Sequence, residues 1–371
     1  MVGIESHAIG SRVGGNETYA RGLLAGMAQI GWAKNCRVYL TKTGLIETGT
    51  QLKGQGFETA AVSAGAVARL LWSLPREILK QPVDILHAQY HLPAFSSVRG
   101  VITVHDVSFM RHPEFFTRRE YLKMRALLPI SLKRANKIIT VSEYSKKEII
   151  NFFGVTPEKI KVIYYGGGEE FCPADYVPEI AAVKKRCRLP EQFILCVSNL
   201  QPRKNLPRLI NAYVNLRKNQ PEIKHKLVIV GEKAWLYSDI FASLKESGLP
   251  DEIILTGYIP NRNLPSLYSA ADLFVYPSIF EGFGLPALEA MACGCPVITS
   301  NTSSLPEVVG DAGIMVDPYN IEGLAKAMSE VLNNGELRKK MKEKGRERAK
   351  LFRWEKCATE TVKVYEEITK K

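Results

Sequence analysis

The stretch DLFVYPSIFEGFGLPALEAMACGCPVITS, residues 272–300, decides the fold. Its start, DLFVYPS, is a short run of apolar and aromatic residues and predicts a strand. LPALEAMACG has helical composition, with Pro286 placed for the first turn. PVITS is a second strand. Strand, loop, helix and strand in so short a span make a parallel unit, because parallel strands need a crossover. The loop IFEGFG joins the first strand to the helix. It brings Glu281, a Gly-x-Gly and, one turn into the helix, Glu289. Such a loop can cradle a phosphate, carry a hydrolytic carboxylate pair, or simply turn the chain.

The same alternation runs through the chain. MVGIE, RVYLT, VDILHA, GVITVHD, NKIITVS and EKIKVIYYG read as strands of a first half. NETYARGLLAGMAQIG reads as its first helix, with Asn16 as N-cap. GGGEEFCPADYVPEI reads as a linker. QFILCVSN, HKLVIVG, EIILTGYI, DLFVYPS, PVITSN and AGIMVD are strands of a second half, alternating with helices. Two such runs predict an α/β chain of two doubly wound, Rossmann-like domains facing each other across a cleft, over 1–170 and 171–352. Ligands in such sheets sit beyond the carboxyl ends of the strands, so loops leaving a strand for a helix are the ones to inspect.

Bulk properties narrow the classes. Of 371 residues, 46% are hydrophobic and 24% charged, ordinary for a globular chain. No apolar run reaches membrane-spanning length, and the N-terminus does not resemble a signal peptide. Seven cysteines, an odd number with no Cys-x-x-Cys, argue against a disulfide framework and for a reducing, cytoplasmic compartment. His87 and His91 could share a helix face, but no metalloprotease pattern surrounds them. The net charge of +12 suits an anionic partner. Residues 118–137 predict a basic helix whose Leu122, Leu127, Leu128 and Leu132 form one face. It is either docked on the protein or laid on anionic lipid. Residues 68–80, with Trp72, offer an apolar partner for it.

Four loops could carry chemistry. In GSRVGGNETY, Gly14 and Gly15 allow close backbone approach before a helix N-terminus. In TVHDVSF, His105 stands at a strand end and can donate to a sugar hydroxyl or a phosphate. In CVSNLQPRKN, Arg203 and Lys204 precede a helix, a combination suited to a diphosphate. In IFEGFGLP, the amides of Phe283, Gly284 and Leu285 should point out of the helix start. Glu281 and Glu289 are placed poorly for a glycosidase pair. GFGLPA also fits a dinucleotide spacing, but no acidic residue ends the next strand. The chain contains no Asp-x-Asp, so diphosphate charge must be met by Arg203, Lys204 and helix dipoles.

The runs VGGNETYARGL, PRKNL and LTGYIPNRNLPSLYSAADLFVYPSIFEGFGLPALEAMACGCPVITSNTSSLPEVVGDAGIMVDP resemble the family 4 retaining glycosyltransferases of the GT-B fold. The resemblance covers nearly the whole chain and implies a last helix, 353–371, that returns to the first domain. It implies a nucleotide diphosphate sugar as donor, a hydroxyl acceptor on a glycan or lipid, retention at the anomeric carbon, and no metal or other cofactor. By this resemblance Glu281 contacts the sugar and Glu289 the ribose. Phe283, Gly284 and Leu285 offer amides, Arg203 and Lys204 neutralise the diphosphate, and Gly14, Gly15 and Asn16 close over it. His105 touches the sugar, while Gly231, Tyr258 and Ile259 line the base pocket. Ser198-Asn199 replaces a Gly-Arg found in many members, which shifts the arginine role to Arg203. Donors of the GDP-mannose and UDP-glucose types both fit, with a lean to the former. An anionic membrane surface, on the inner face of the plasma membrane, is a further expected partner, and nucleic acid is not. An epimerase of the same fold, a silent nucleotide-sugar binder and a nicotinamide dehydrogenase are the rival readings.

Overall fold

The computed structural model describes residues 1–11, 14–93, 97–167, 171–173 and 177–369. It divides into two compact units. The first holds Met1–Pro113, Arg118–Gly166 and Phe352–Lys371, and the second holds Glu114–Thr117 and Gly167–Leu351.

The strands of the first unit are β1 (Val2–Glu5), β2 (Cys36–Leu40), β3 (Glu58–Ala61), β4 (Ile85–Gln89), β5 (Arg99–Val104), β6 (Lys137–Thr140) and β7 (Ile160–Val162). They form one sheet in the order β3-β2-β1-β4-β5-β6-β7, and each pairing is parallel. Those of the second are β8 (Phe193–Val197), β9 (Lys226–Val230), β10 (Ile253–Gly257), β11 (Leu273–Tyr276), β12 (Val297–Ser300) and β13 (Ile314–Val316), in the order β10-β9-β8-β11-β12-β13. β1, β2, β4, β11 and β12 are buried at every residue. Burial on both faces explains why they read as largely apolar runs with little alternation, although Arg37, His87 and Gln89 are buried among them.

Strand order fixes where chemistry can sit. In each sheet the chain winds outward one way, returns to the middle, and winds the other way. The reversal falls between β1 and β4 in the first unit and between β8 and β11 in the second. At such a point the loops after the two central strands diverge to opposite faces and leave a crevice.

The closing helix, Trp354–Thr369, packs on the first helix, Gly14–Gln29. Close approach is possible because the facing residues are Gly22 and Gly26. A Cβ on Gly22 would lie 2.1 Å from the Trp354 ring, and one on Gly26 would lie 2.3 Å from the Trp354 carbonyl oxygen. The Trp354 ring stacks on Tyr165 at 5.7 Å. Further along, Tyr365 shares a 2.6 Å hydrogen bond with Nδ1 of His87.

Several expectations need correction. The first helix begins at Gly14, so Asn16 lies inside its first turn and is not the N-cap. β3 was not foreseen: ETAA is a half-exposed edge strand without an apolar run. The linker ends sooner than expected, since Val177–Arg186 is helical. His87 lies in β4, so it shares no helix face with His91. Arg118–Arg134 is a helix, but only Leu128 and Leu132 of the four leucines are buried. At about 100° per residue, Leu122 and Leu127 lie roughly 120° and 100° around the helix from Leu128. Trp72 is 74% exposed and therefore covers no neighbouring helix.

Candidate functional site

The second unit gathers charge at its reversal point. β8 ends at Val197, and Pro202–Lys204 forms a single 3-10 turn before the helix Leu206–Asn219. Asn205, between the two, has a left-handed backbone (φ 60°). Its side-chain amide donates to the carbonyls of Pro277 (3.0 Å) and Pro318 (2.7 Å). The turn carrying Arg203 and Lys204 is thereby tied to the loop after β11.

That loop supplies the carboxylate. Glu281 is buried, and its Oε1 accepts from Lys204 Nζ at 2.6 Å and from the Tyr276 hydroxyl at 2.9 Å. Arg203 reaches Oε2 at 3.4 Å and the Phe280 carbonyl at 3.3 Å. Lys204 Nζ also donates to the Tyr276 hydroxyl at 2.5 Å and lies 4.9 Å from that ring's centroid. The backbone is pinned as well. The Glu281 amide donates to Ser303 Oγ at 3.0 Å, and Ser304 Oγ donates to the carbonyls of Glu281 and Phe283, both at 2.9 Å.

Among the described residues the cluster brings two cations to one carboxylate. Burial pushes the Glu281 carboxyl up, but Arg203 and Lys204 outweigh it and hold it at about 2. Burial and the neighbouring Arg203 pull Lys204 down to about 8, against the opposing effect of Glu281. The two shifts have one cause: Glu281 faces two cations, while Lys204 faces the like charge of Arg203 as well as the carboxylate. An anion brought against Lys204 would favour its charged form. A carboxylate near 2 is also a poor general base at neutral pH.

Gly284 follows with φ 108°, and the helix Leu285–Ala292 begins behind it. A Cβ on Gly284 would be strained and would meet Leu305 at 2.6 Å. The side chains of Phe283 and Leu285 are buried, which leaves the backbone to line the helix start. The first amides of such a helix have no helical carbonyl partner and favour anions. Glu289, in this helix, is buried and accepts from the Tyr268 hydroxyl at 2.8 Å. It does not join the Glu281 cluster.

Gly231 follows β9 and packs against the Ser198 carbonyl, where a Cβ would fall 2.0 Å away. Tyr258 and Ile259 follow β10. Tyr258 is exposed and Ile259 buried. Among the described residues no group of three or more His, Cys, Asp or Glu could hold a metal ion.

Gly14, Gly15, Asn16 and His105 belong to the first unit. Gly14 and Gly15 are exposed at the helix start, and a Cβ on Gly15 would meet nothing. His105 follows β5 but is buried. Its Nε2 bonds Gln89 Oε1 at 2.7 Å, and its Nδ1 bonds the Tyr165 hydroxyl. Burial drives its pKa down to about 3, so the imidazole is neutral. Both ring nitrogens are thus engaged, and the free donor expected at the strand end is not present in this geometry. Sequence reasoning also missed Tyr268, Tyr276, Ser303 and Ser304, because a tyrosine within a helix and one at a strand end both read as core and serines read as turn.

Two parallel sheets of seven and six strands with flanking helices, each sheet reversing near its middle, are the architecture of the GT-B fold. The sequence agrees. Residues 180–348 match the family described as glycosyl transferases group 1, and residues 13–166 match glycosyltransferase family 4. The chain is 37% identical over 286 residues to the O-antigen chain mannosyltransferase B of Escherichia coli, covering 74% of this chain and 73% of that one. Among solved structures, a sucrose-phosphate synthase from Thermosynechococcus elongatus superposes with a TM-score of 0.79 at 22% identity, over 99% of this chain and 98% of that one. Anabaena HepE, in complex with UDP and glucose, does so at 0.75 and 18%, over 98% and 99%. The chain belongs to the family 4 glycosyltransferases.

Proposed function

We propose that this chain transfers a sugar from a nucleoside diphosphate sugar to a hydroxyl group of a glycan or lipid-linked acceptor, with retention at the anomeric carbon and without a metal. The observation that carries this reading is the Arg203–Lys204–Glu281 cluster, with Lys204 and Glu281 buried and Arg203 half-buried, in the loops that precede the helix starts at Leu206 and Leu285. A diphosphate is the anion that two adjacent cations and a helix start suit. As the sugar–oxygen bond breaks, charge builds on the leaving phosphate, and Arg203, Lys204 and the amides of Phe283, Gly284 and Leu285 stabilise it. Each such donor contributes on the order of 3 kcal/mol to the transition state. No Asp-x-Asp is present, so the two cations take the part of a metal clamp.

In this reading Glu281 faces the sugar. Its low basicity suits electrostatic stabilisation and hydroxyl binding better than proton abstraction, so front-face transfer assisted by the phosphate is favoured over attack by Glu281. Glu289 holds the ribose, and Gly231, Tyr258 and Ile259 face the base. Gly14 and Gly15 offer exposed backbone to the phosphates. His105 is a packed, neutral imidazole, and a sugar contact from it requires Gln89 or Tyr165 to give up a bond. A GDP-mannose donor and an O-antigen or related glycan product are the specific assignment, supported by the mannosyltransferase relative.

The acceptor side is proposed to work at an anionic lipid surface on the cytoplasmic face. Val67, Leu71, Trp72 and Leu79 are exposed along residues 66–80, as are Leu122, Leu127 and Ile130 on the basic helix Arg118–Arg134. No described helix is long and apolar enough to cross a membrane.

The test is a thermal-shift panel of nucleotide sugars on the intact chain and on Lys204→Ala. GDP-mannose is expected to raise the midpoint of the intact chain most, with the rise largely lost in the variant. No shift from any nucleoside diphosphate sugar would sink the proposal.

A further inference from the structure

Each of the two glutamates is gripped by a buried tyrosine. The Tyr276 hydroxyl donates to Glu281 Oε1 at 2.9 Å, and the Tyr268 hydroxyl donates to Glu289 Oε2 at 2.8 Å. Both rings are fully buried. One further ring joins them. Phe274 and Tyr276 are two apart in β11, so they share a face of the strand and stack at 5.9 Å. Tyr268, from the helix Leu264–Ala270 just before that strand, meets Phe274 edge-on at 5.4 Å. Phe171 closes the far end on Tyr268 at 6.1 Å. Glu281, Tyr276, Phe274, Tyr268 and Glu289 thus form one continuous buried line.

Such a line can do something that isolated hydrogen bonds cannot. Glu281 sits in a loop and Glu289 in a helix. If the two carboxylates grip different parts of one ligand, the distance between them must be held. Loop and helix alone leave that distance to two elements that can shift separately. Interlocked aromatic rings have few torsions and resist compression. A phenol is also well suited to the task. Burial and the adjacent carboxylates push both phenols well above their ordinary pKa, so each stays a protonated donor. Tyr276 has a second duty, because its oxygen accepts from Lys204 while its proton goes to Glu281.

We infer that Tyr276 and Tyr268, spaced by Phe274, are positioning residues that hold Glu281 and Glu289 in register, Tyr276 for the reacting end of the donor and Tyr268 for its nucleoside end. The inference rests on the reading of the site given above, and it divides the kinetic effects. Tyr276→Phe removes a donor from Glu281 and an acceptor from Lys204, and keeps the ring. It is expected to lower kcat about tenfold with KM for the donor little changed. Tyr268→Phe is expected to raise KM for the donor about tenfold with kcat nearly unchanged. Lys204 faces Arg203, Glu281 and Cys196 and the Tyr276 hydroxyl. Losing the Tyr276 acceptor makes its charged form less favourable, so the alkaline limb of kcat/KM shifts to lower pH in Tyr276→Phe and stays in place in Tyr268→Phe.

The experiment is steady-state transfer with the donor varied, over pH 6 to 10, on the intact chain, Tyr276→Phe, Tyr268→Phe and Lys204→Ala. The split between kcat and KM, with the moved limb in Tyr276→Phe alone, supports the inference. A large loss in Lys204→Ala, with wild-type constants and limb in Tyr276→Phe, overturns the inference and leaves the reading of the site standing. Full activity in Lys204→Ala overturns both. Should either phenylalanine variant fail to fold, Phe274→Leu keeps every polar group and loosens the spacer. It is expected to lower kcat and raise KM together by smaller factors, and unchanged constants count against the inference.

Discussion

Lys204 gives the site a titration that donor binding must alter. Its ammonium is buried and shares Glu281 with Arg203, and its pKa falls from 10.5 to about 8. That difference amounts to about 3 kcal/mol of unfavourable interaction for the charged form. The folded value lies below the unfolded one, so this group opposes folding below pH 8, and stability rises with pH between about 8 and 10.5. A diphosphate placed against Lys204 offsets the penalty and returns the pKa towards its ordinary 10.5. At pH 8.5 about a quarter of the free protein carries the Lys204 proton, and nearly all of the complex does, so binding takes up roughly 0.7 proton. At pH 6.5 the uptake is close to zero. Isothermal titration of GDP-mannose, whose diphosphate is esterified at both ends and does not itself titrate in this range, in buffers of differing ionisation enthalpy measures this number directly. Lys204→Met, of similar length, should abolish the uptake at pH 8.5. Equal uptake at pH 6.5 and 8.5, or uptake that survives in Lys204→Met, would refute the reasoning.

Three further outcomes are expected. Glu281 is held at about 2, below its ordinary 4.5, so its contribution is complete above pH 4.5 and is lost as pH falls through 2. Glu281→Gln should therefore flatten the acid limb of stability by about 3 kcal/mol, read by denaturant melts from pH 2 to 6. Gly22→Ala gains about 1 kcal/mol of helix propensity but drives a methyl into Trp354. It should be destabilising by roughly 1–3 kcal/mol, and a raised melting midpoint would contradict the close packing of the two helices. Trp72→Ala should weaken sedimentation with phosphatidylglycerol vesicles at least several-fold and leave turnover on a soluble acceptor unchanged. Equal sedimentation removes Trp72 from the membrane reading.

Much of the fold was legible because parallel strands buried on both faces are unbroken apolar runs. β8, β9, β11 and β12 each read that way. β3 was not legible, since an edge strand such as ETAA needs no such run. The leucines of residues 118–137 mislead because apolar residues of one helix share a face only where their angles agree, and Leu122 and Leu127 lie about a third of a turn from buried Leu128. At the site, Arg203, Lys204 and Glu281 were legible singly, from charge beside a helix start. Their convergence was not, because it depends on β8 and β11 being neighbours although β9 and β10 lie between them in sequence. His105 was read from its place at a strand end. Its partners, Gln89 and Tyr165, come from other parts of the first unit, and no local pattern announces them.

The most direct test of the central claim is donor turnover in Glu281→Ala and Lys204→Ala under saturating nucleotide sugar, with folding checked by circular dichroism. Removal of groups that stabilise the departing diphosphate and the reacting sugar should lower kcat by about 10² or more in each variant while the fold persists. Folded variants turning over at near wild-type rates would contradict the assignment of this cluster as the place where the sugar is transferred.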